Sequence, residues 1–404
     1  MEFDVFFSIS QTPDAAGTFP DETTMYSNYL EQLQVADQVG YGVAWLAQAH
    51  LSTEVQKRNR NPVIPHWQGE VGLCTDFFQL ALLSMEKTER IEVGSAVLSI
   101  LANGGPIAVA ERIGNFCAIQ EVRGDSRKLN VGFSAGRFQF MAAPYGIVPR
   151  NAVEETAWSA LRSQIFWEAS EIMLRLIRGD TICSDDIRKT ILTREDFRSE
   201  QDWQAVQNAK GSKDEQILIP RRYEFEQIKS VPQEWDRSRL NLVLGSHQPA
   251  LQEYVNQFMP VQVFNLSITQ PEVIEATHER MQRAYKGEWE RRMMPRTIMV
   301  FLNEEDGLTD EEKNAAAKTE SEGALSSYWS ALEGTLDPAK VAKAANNAVI
   351  GNAKEVAAQI KERFHPDDRL MLWFDFFRHD SGRICRDMRA FMDMVVPLVN
   401  GSDV

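Results

Sequence analysis

Two hydrophobic rhythms take turns along the chain. Short runs rich in β-branched and aromatic residues, the mark of buried strands, are each followed by a longer stretch whose apolar residues recur every three to four positions, the mark of an amphipathic helix. The strands read as FDVFFSI (3–9), VAWLA (43–47), IEVGSAVLSI (91–100), KLNVGFS (128–134), NLVLG (241–245), VQVFNLS (261–267), RTIMVFL (296–302) and RLMLWFDF (369–376). The helices read as 25–40, which ends at a glycine, 74–86, 106–119 with proline at its start, 153–178, a helix from Pro249, 271–286, 353–364 and 381–398.

Strand followed by helix, repeated about eight times, predicts a parallel sheet with crossover helices. Several strands are apolar on both faces, as burial beneath helices on one side and a filled interior on the other requires. A single α/β domain built as a (β/α)8 TIM barrel accounts for the count best, although a doubly wound sheet would show much of the same pattern. Residues 179–240 and 303–350 break the rhythm. Both are expected to be excursions from the barrel, the second helical, because structureless loops of that length are uncommon inside a compact domain.

With 404 residues, 43% of them hydrophobic, the chain can bury a large core without staples. A net charge of −15 and no basic run argue against nucleic acid or an anionic membrane surface as a partner. Cys74, Cys117, Cys183 and Cys385 are scattered with no CxxC pair, so reduced thiols are expected. The N-terminal MEFDVFFSIS lacks the positive charge and apolar length of a signal peptide. VGSAVLSILANGGPIAVA is broken by Asn103, Gly104, Gly105 and Pro106, so no membrane span and a cytoplasmic location are expected. No HExxH, EF-hand loop or His/Asp/Glu cluster occurs, and no metal is expected.

In a barrel, the residues that follow each strand converge on one mouth. That rule gathers Ser8, Gln11, Gln48, His50, Asn103, Ser134, Arg137, Ser246, His247, Gln248, Asp375 and His379. His50 at a strand end is a candidate acid or base, and equally an ordinary hydrogen-bonded histidine. In VGFSAGRF (131–138), Gly132 and Gly136 permit close approach of a ligand, and backbone N–H groups with Arg137 could cradle a phosphate. A plain tight turn reads the same way. The string also matches GxSxG, with Ser134 as a nucleophile and Asp375 and His379 in hydrolase order. Pro144, Gly146 and Pro149 follow, however, where a nucleophile elbow needs a helix. GSHQPALQEY (245–254) offers a second anion site, with Ser246 capping the next helix, or else an ordinary cap.

Five segments in register resemble the bacterial luciferase-like flavin-dependent monooxygenases: LQVADQVGYGVAWLAQAH, IEVGSAVLSILANGGPIAVAERIGNFCAIQEVRGDSRKLNVGFSAGRF, PYGI, LNLVLGSHQPALQEYV and IGNAKEVAAQIKERFHPDDRLMLWFDF. The resemblance runs from residue 3 to about 400, interrupted by the two excursions. It implies a barrel that binds reduced FMN, or in some relatives F420, at the C-terminal mouth of the strands. It implies a homodimer, a small organic substrate oxidised with O2, and a partner flavin reductase, since no dinucleotide fingerprint is visible. The phosphate-holding loops of the family match Ser134, Ala135, Gly136 and Arg137, with Gly245, Ser246, His247 and Gln248. The family's cis peptide beneath the flavin ring matches Ala96–Val97. Three departures stand out. The histidine used by luciferase falls on Ala49, leaving His50 as the catalytic candidate. The arginine that often contacts phosphate falls on Ala135, and the acidic residue before Ser246 is Gly245. A non-catalytic barrel is the remaining alternative.

Overall fold

A computed structural model describes residues 1–14, 16–50, 69–136, 139–332 and 348–401. Eight parallel strands make a ring: β1 (Glu2–Phe7), β2 (Val43–Leu46), β3 (Glu92–Ser99), β4 (Leu129–Ser134), β7 (Leu240–Leu244), β8 (Gln262–Val263), β9 (Arg296–Leu302) and β11 (Arg369–Trp373). β11 pairs with β1 on one side and β9 on the other. The ring closes where Asn265, just past β8, bridges Arg296 at the start of β9. Asn265 N–H donates to the Pro295 carbonyl at 2.9 Å and its own carbonyl accepts from Thr297 N–H at 3.1 Å. The architecture is therefore the (β/α)8 barrel.

Strand alternation sorts side chains into two cores. Phe3, Val5, Phe7, Leu370, Leu372 and Phe374 face outward into the helical layer. Phe6, Val43, Trp45, Val243, Phe264 and Met371 fill the interior. Below them Asp4, fully buried, accepts from Val43 N–H (3.0 Å), Trp45 Nε1 (2.7 Å) and Arg369 Nε (2.6 Å). One carboxylate thus ties three adjacent strands at the base. A Cβ on Gly94 would meet the Trp45 ring at 2.5 Å, so glycine there makes room for the indole.

Three elements depart from the sequence expectations. The strand expected over 261–267 is regular only at Gln262–Val263, with Asn265 adding a single bridge to Arg296, because Leu266 N–H turns to the Thr269 hydroxyl instead of a neighbouring strand. The closing helix stops being regular at Ala390: Phe391–Val395 widens into a π turn ahead of Pro397, whose missing N–H would break an α-helical ladder. The helix expected over 153–178 breaks at Ala157 into Ala152–Thr156 and Trp158–Arg178. The first excursion is structured, with an antiparallel pair β5 (Thr190–Leu192) and β6 (Ile217–Ile219) and a helix over Glu200–Lys210. The second is helical over Asp310–Leu332, as expected, and returns through β10 (Val349–Gly351), which pairs with the upper part of β9.

Candidate functional site

Interior positions at the C-terminal ends of the strands are not filled like those below. Ala47, Ala96, Val97, Ser134, Gly245, Trp373 and Asp375 all remain partly open to solvent, whereas Phe6, Trp45 and Phe264 beneath them are buried. A ring of partly exposed residues therefore tops a solid plug. Its wall is small on the arc from β2 to β7 and aromatic from β9 to β11.

Glycine builds the small arc. A Cβ on Gly132 would lie 2.2 Å from the Ser95 carbonyl oxygen and 3.1 Å from Val97 Cγ1, so only glycine lets β3 and β4 approach this closely. A Cβ on Gly245 would meet Val97 Cγ1 at 3.2 Å and Ser134 Cβ at 3.3 Å. Ala96–Val97 is a cis peptide, as the resemblance implied. Val97, Ser134 and Gly245, far apart in sequence, thus meet at one spot.

The two glycine-containing turns expected to act together end neighbouring strands at the same rim. β4 and β7 pair in parallel, and Gly245 N–H donates to the Phe133 carbonyl at 2.8 Å. Ser134 Oγ accepts Gly136 N–H at 3.0 Å, and Ser246 Oγ accepts Gln248 N–H at 3.3 Å. Each hydroxyl spends a lone pair on a backbone donor, which leaves its proton to donate outward. Gly136 takes a φ of +82°, and a Cβ there would strike Ser99 Oγ at 2.6 Å. Ser99 Oγ in turn donates to the Ala135 carbonyl at 3.2 Å, fixing the turn. Arg137, the expected counter-charge, lies outside the described residues.

Ser246 does not cap the following helix. Pro249 occupies its first turn, the cap is Gln248 without a side-chain bond, and the helix is only Pro249–Val255. The expected helix-end anion site is thereby withdrawn, and the Ser246 hydroxyl itself is what remains. Gln248 Oε1 accepts from Trp167 Nε1 at 3.1 Å and Ser163 Oγ at 3.3 Å, tying this turn to Trp158–Arg178. His247 Nε2 pairs with the Thr269 hydroxyl at 3.2 Å; burial pulls its pKa below the usual value, and Arg280 adds to this.

Further along the same rim, past the end of β2, His50 Nε2 and the Tyr145 hydroxyl are 2.5 Å apart. Burial lowers the His50 pKa and Arg112 lowers it further. The Thr75 backbone opposes that shift. A neutral imidazole at pH 7 follows, and its tautomer sets whether Nε2 or the phenol donates. Gln48 and Asn103 form a reciprocal amide pair, Nε2 to Oδ1 at 2.9 Å and Nδ2 to Oε1 at 3.2 Å, while Gln48 Oε1 also accepts Ser99 N–H at 3.2 Å. These two brace the ends of β2 and β3. Gln11 pins residues 69–70, accepting Glu70 N–H at 3.1 Å.

The serine-hydrolase arrangement is not formed. Asp375 Oδ2 accepts from Ser8 Oγ at 2.9 Å and Ser8 N–H at 3.1 Å, and His379 Nε2 contacts the Thr12 carbonyl at 2.6 Å. Ser134 meanwhile ends its strand with its hydroxyl accepting Gly136 N–H, with neither Asp375 nor His379 among its partners. The Asp375 carboxyl is buried although the residue is not wholly so; burial raises its pKa, opposed by the Ser8 hydrogen bonds. Sequence reasoning missed Tyr145, which sits in the quoted PYGI segment, and Trp373, which reads as one more core aromatic. Among the described residues no group of three or more His, Cys, Asp or Glu is placed to hold a metal, and no helix is long and apolar enough to cross a membrane.

No protein-family model matches the chain, and sequence comparison finds no relative among curated proteins. Solved structures do match over nearly the whole length. The monooxygenase RslO1 from Streptomyces bottropensis superposes with a TM-score of 0.64 at 16% identity, covering 98% of this chain and 99% of that one. The oxygenating constituent of 3,6-diketocamphane monooxygenase from Pseudomonas putida, solved with FMN, gives 0.57 at 11% identity, covering 98% of each chain. An F420-dependent secondary alcohol dehydrogenase, solved with an F420-acetone adduct, gives 0.56 at 14% identity, also covering 98% of each. The closed eight-stranded ring is thus a fold that this chain shares with flavin- and F420-dependent oxidoreductases of known structure.

Proposed function

We propose that the chain is a flavin-dependent oxidoreductase that uses reduced FMN and O2 to oxygenate a small organic molecule at the barrel mouth. The observation that carries this reading is the meeting of Val97, Ser134 and Gly245 beneath two turns that end adjacent strands. A flat ring needs a floor without protruding side chains, and Ala47, Ala96, Val97, Gly132 and Gly245 provide one. A phosphate needs convergent donors, and the hydroxyls of Ser134 and Ser246 have protons free to give. The residues present therefore fit a flavin mononucleotide. Bound reduced flavin would supply the electrons that activate O2.

The chain's own groups would do the rest. Ser134, Ala135, Gly136, Ser246 and the turn through Gln248 would hold the phosphate tail. His50, neutral and paired with Tyr145, would orient the substrate or pass a proton from the end of β2 on the same rim. The aromatic arc would keep water out of the mouth. In this reading reduced flavin arrives from a separate reductase, and the active particle is a homodimer.

Calorimetric titration of the purified protein with FMN, photoreduced FMN and F420 tests the proposal. Saturable one-to-one binding of FMN, tighter in the reduced form, with O2 consumed only when reduced flavin is present, is expected. Tighter F420 than FMN binding would move the cofactor to the deazaflavin. No binding of any of the three would leave a non-catalytic barrel.

A further inference from the structure

Arg188, just ahead of β5 in the first excursion, sits across two helices of the barrel wall. Its guanidinium lies 4.5 Å from the centroid of the Trp167 ring and 5.3 Å from that of Tyr254, and those two rings are 5.0 Å apart. Its backbone N–H donates to Glu171 Oε2 at 3.0 Å, and the same oxygen accepts the Tyr254 hydroxyl at 2.5 Å. Trp167 and Glu171 belong to the helix Trp158–Arg178, and Tyr254 to the helix Pro249–Val255. Arg188 Nη1 is buried without a hydrogen-bond partner, which folded proteins rarely allow without a reason. A planar cation laid over two electron-rich ring faces is the attraction that keeps it there.

Those two helices stand behind the two turns of the proposed phosphate site. The chain after β4 leads through short helices into Trp158–Arg178, and β7 leads into Pro249–Val255. Gln248 does not cap its own helix with its side chain but gives it to the other one: Oε1 accepts from Trp167 Nε1 at 3.1 Å and from Ser163 Oγ at 3.3 Å. A second brace comes from the next helix, Pro271–Ala284. There Arg280 Nε donates to Gln252 Oε1 at 3.0 Å, and Gln252 Nε2 donates to the Ser246 carbonyl at 2.9 Å. The turn after β7 therefore hangs between two braces. One of them depends on where the Trp167 indole points, and Arg188 covers the face of that indole.

We propose that Arg188 is a positioning residue for the phosphate site, a staple by which the first excursion fixes the turn after β7 relative to the turn after β4. It touches neither flavin nor substrate. It acts through Trp167 and Gln248 on Ser246, whose hydroxyl must reach the same phosphoryl group as that of Ser134. Without the guanidinium the indole is free to tilt, its bond to Gln248 is lost, and the two hydroxyls no longer converge. Lysine does not substitute, because an ammonium has no planar face to lie over two rings. The inference rests on the flavin reading for its ligand, whereas the brace belongs to the chain alone.

R188K, R188A and W167F in the full-length protein test this, with FMN and riboflavin titrated by calorimetry. In both arginine variants the Kd for FMN is expected to rise about fivefold, equivalent to about 1 kcal/mol, while that for riboflavin stays within about twofold. W167F keeps a ring under Arg188 but removes the N–H to Gln248, so it should show the same split, and R188K/W167F should bind FMN no more weakly than either single variant. Amide hydrogen exchange of the flavin-free protein reads the brace directly: peptides covering 245–255 should exchange about fivefold faster in R188K. Unchanged FMN binding in R188K, equal weakening of FMN and riboflavin, or unchanged exchange over 245–255 would overturn the proposal. Arginine variants that do not fold would make Arg188 a structural residue and overturn it equally. FMN binding that R188K leaves intact sinks this inference alone, whereas a wild-type protein that binds no FMN, yet exchanges faster over 245–255 in R188K, sinks the cofactor reading and leaves only the brace.

Discussion

Replacing Ser134 by alanine separates a phosphate site from a mere strand end. In the structure its Oγ accepts Gly136 N–H at 3.0 Å and has a proton to give. A hydroxyl donating to a charged phosphate contributes about 1.5–3 kcal/mol, and each 1.4 kcal/mol is tenfold in affinity. S134A also releases Gly136 N–H, which can turn toward the phosphate and recover part of the loss. The expected effect is therefore at the lower end, a Kd for FMN raised about tenfold. Riboflavin has the same ring and ribityl chain but no phosphate, so its Kd should stay within about twofold in S134A, a difference smaller than one lost hydrogen bond. S246A should behave the same way, losing the hydroxyl that accepts Gln248 N–H. If both hydroxyls contact one phosphoryl group, the double variant should depart from additivity by at least about 0.5 kcal/mol. Stability should fall by only about 0.5–1.5 kcal/mol, one partly exposed neutral hydrogen bond, as read by urea unfolding. The reasoning fails if S134A weakens FMN and riboflavin equally, or weakens neither.

Three further outcomes follow from the geometry. G132A puts a Cβ 2.2 Å from the Ser95 carbonyl oxygen, so it should destabilise by about 3 kcal/mol or more and lower the melting temperature markedly, while G245A, with its nearest contact at 3.2 Å, should melt within a few degrees of wild type. D4A removes the acceptor shared by Arg369, Trp45 and Val43 and leaves Arg369, largely buried, with only Glu2 at 3.8 Å, which should cost about 3 kcal/mol in urea denaturation, the low end for a broken buried pair. Burial raises the folded-state pKa of Asp375, so the folded protein holds a proton there that the unfolded chain has released. Its contribution is complete below the ordinary carboxylate value and disappears as pH rises through the folded one; D375N should flatten the stability profile in that mildly acidic window.

The barrel was legible because its signal is redundant. Buried parallel strands are apolar on both faces, and eight of them announce themselves within a few residues of their ends. β5, β6 and β10 went unread, since three-residue strands carry too little periodicity to stand out. The adjacency of the two turns could be read from strand order alone. The site's finer chemistry could not. The His50–Tyr145 contact spans 95 residues and depends on how the segment after β4 folds back over the rim. Ser246 reads as a helix cap until Pro249 shifts the cap to Gln248. Trp373 is one apolar letter in RLMLWFDF, and only coordinates show that its N–H has no partner.

The central claim is that the turns after β4 and β7 jointly hold the phosphate of a flavin lying over Ala96 and Val97. A crystal of the protein soaked with FMN measures this directly. The account predicts phosphate oxygens within hydrogen-bonding distance of both Ser134 Oγ and Ser246 Oγ, with the ring against the small-residue arc. A phosphate bound elsewhere on the barrel, or a ring stacked on the aromatic arc in its place, would contradict it.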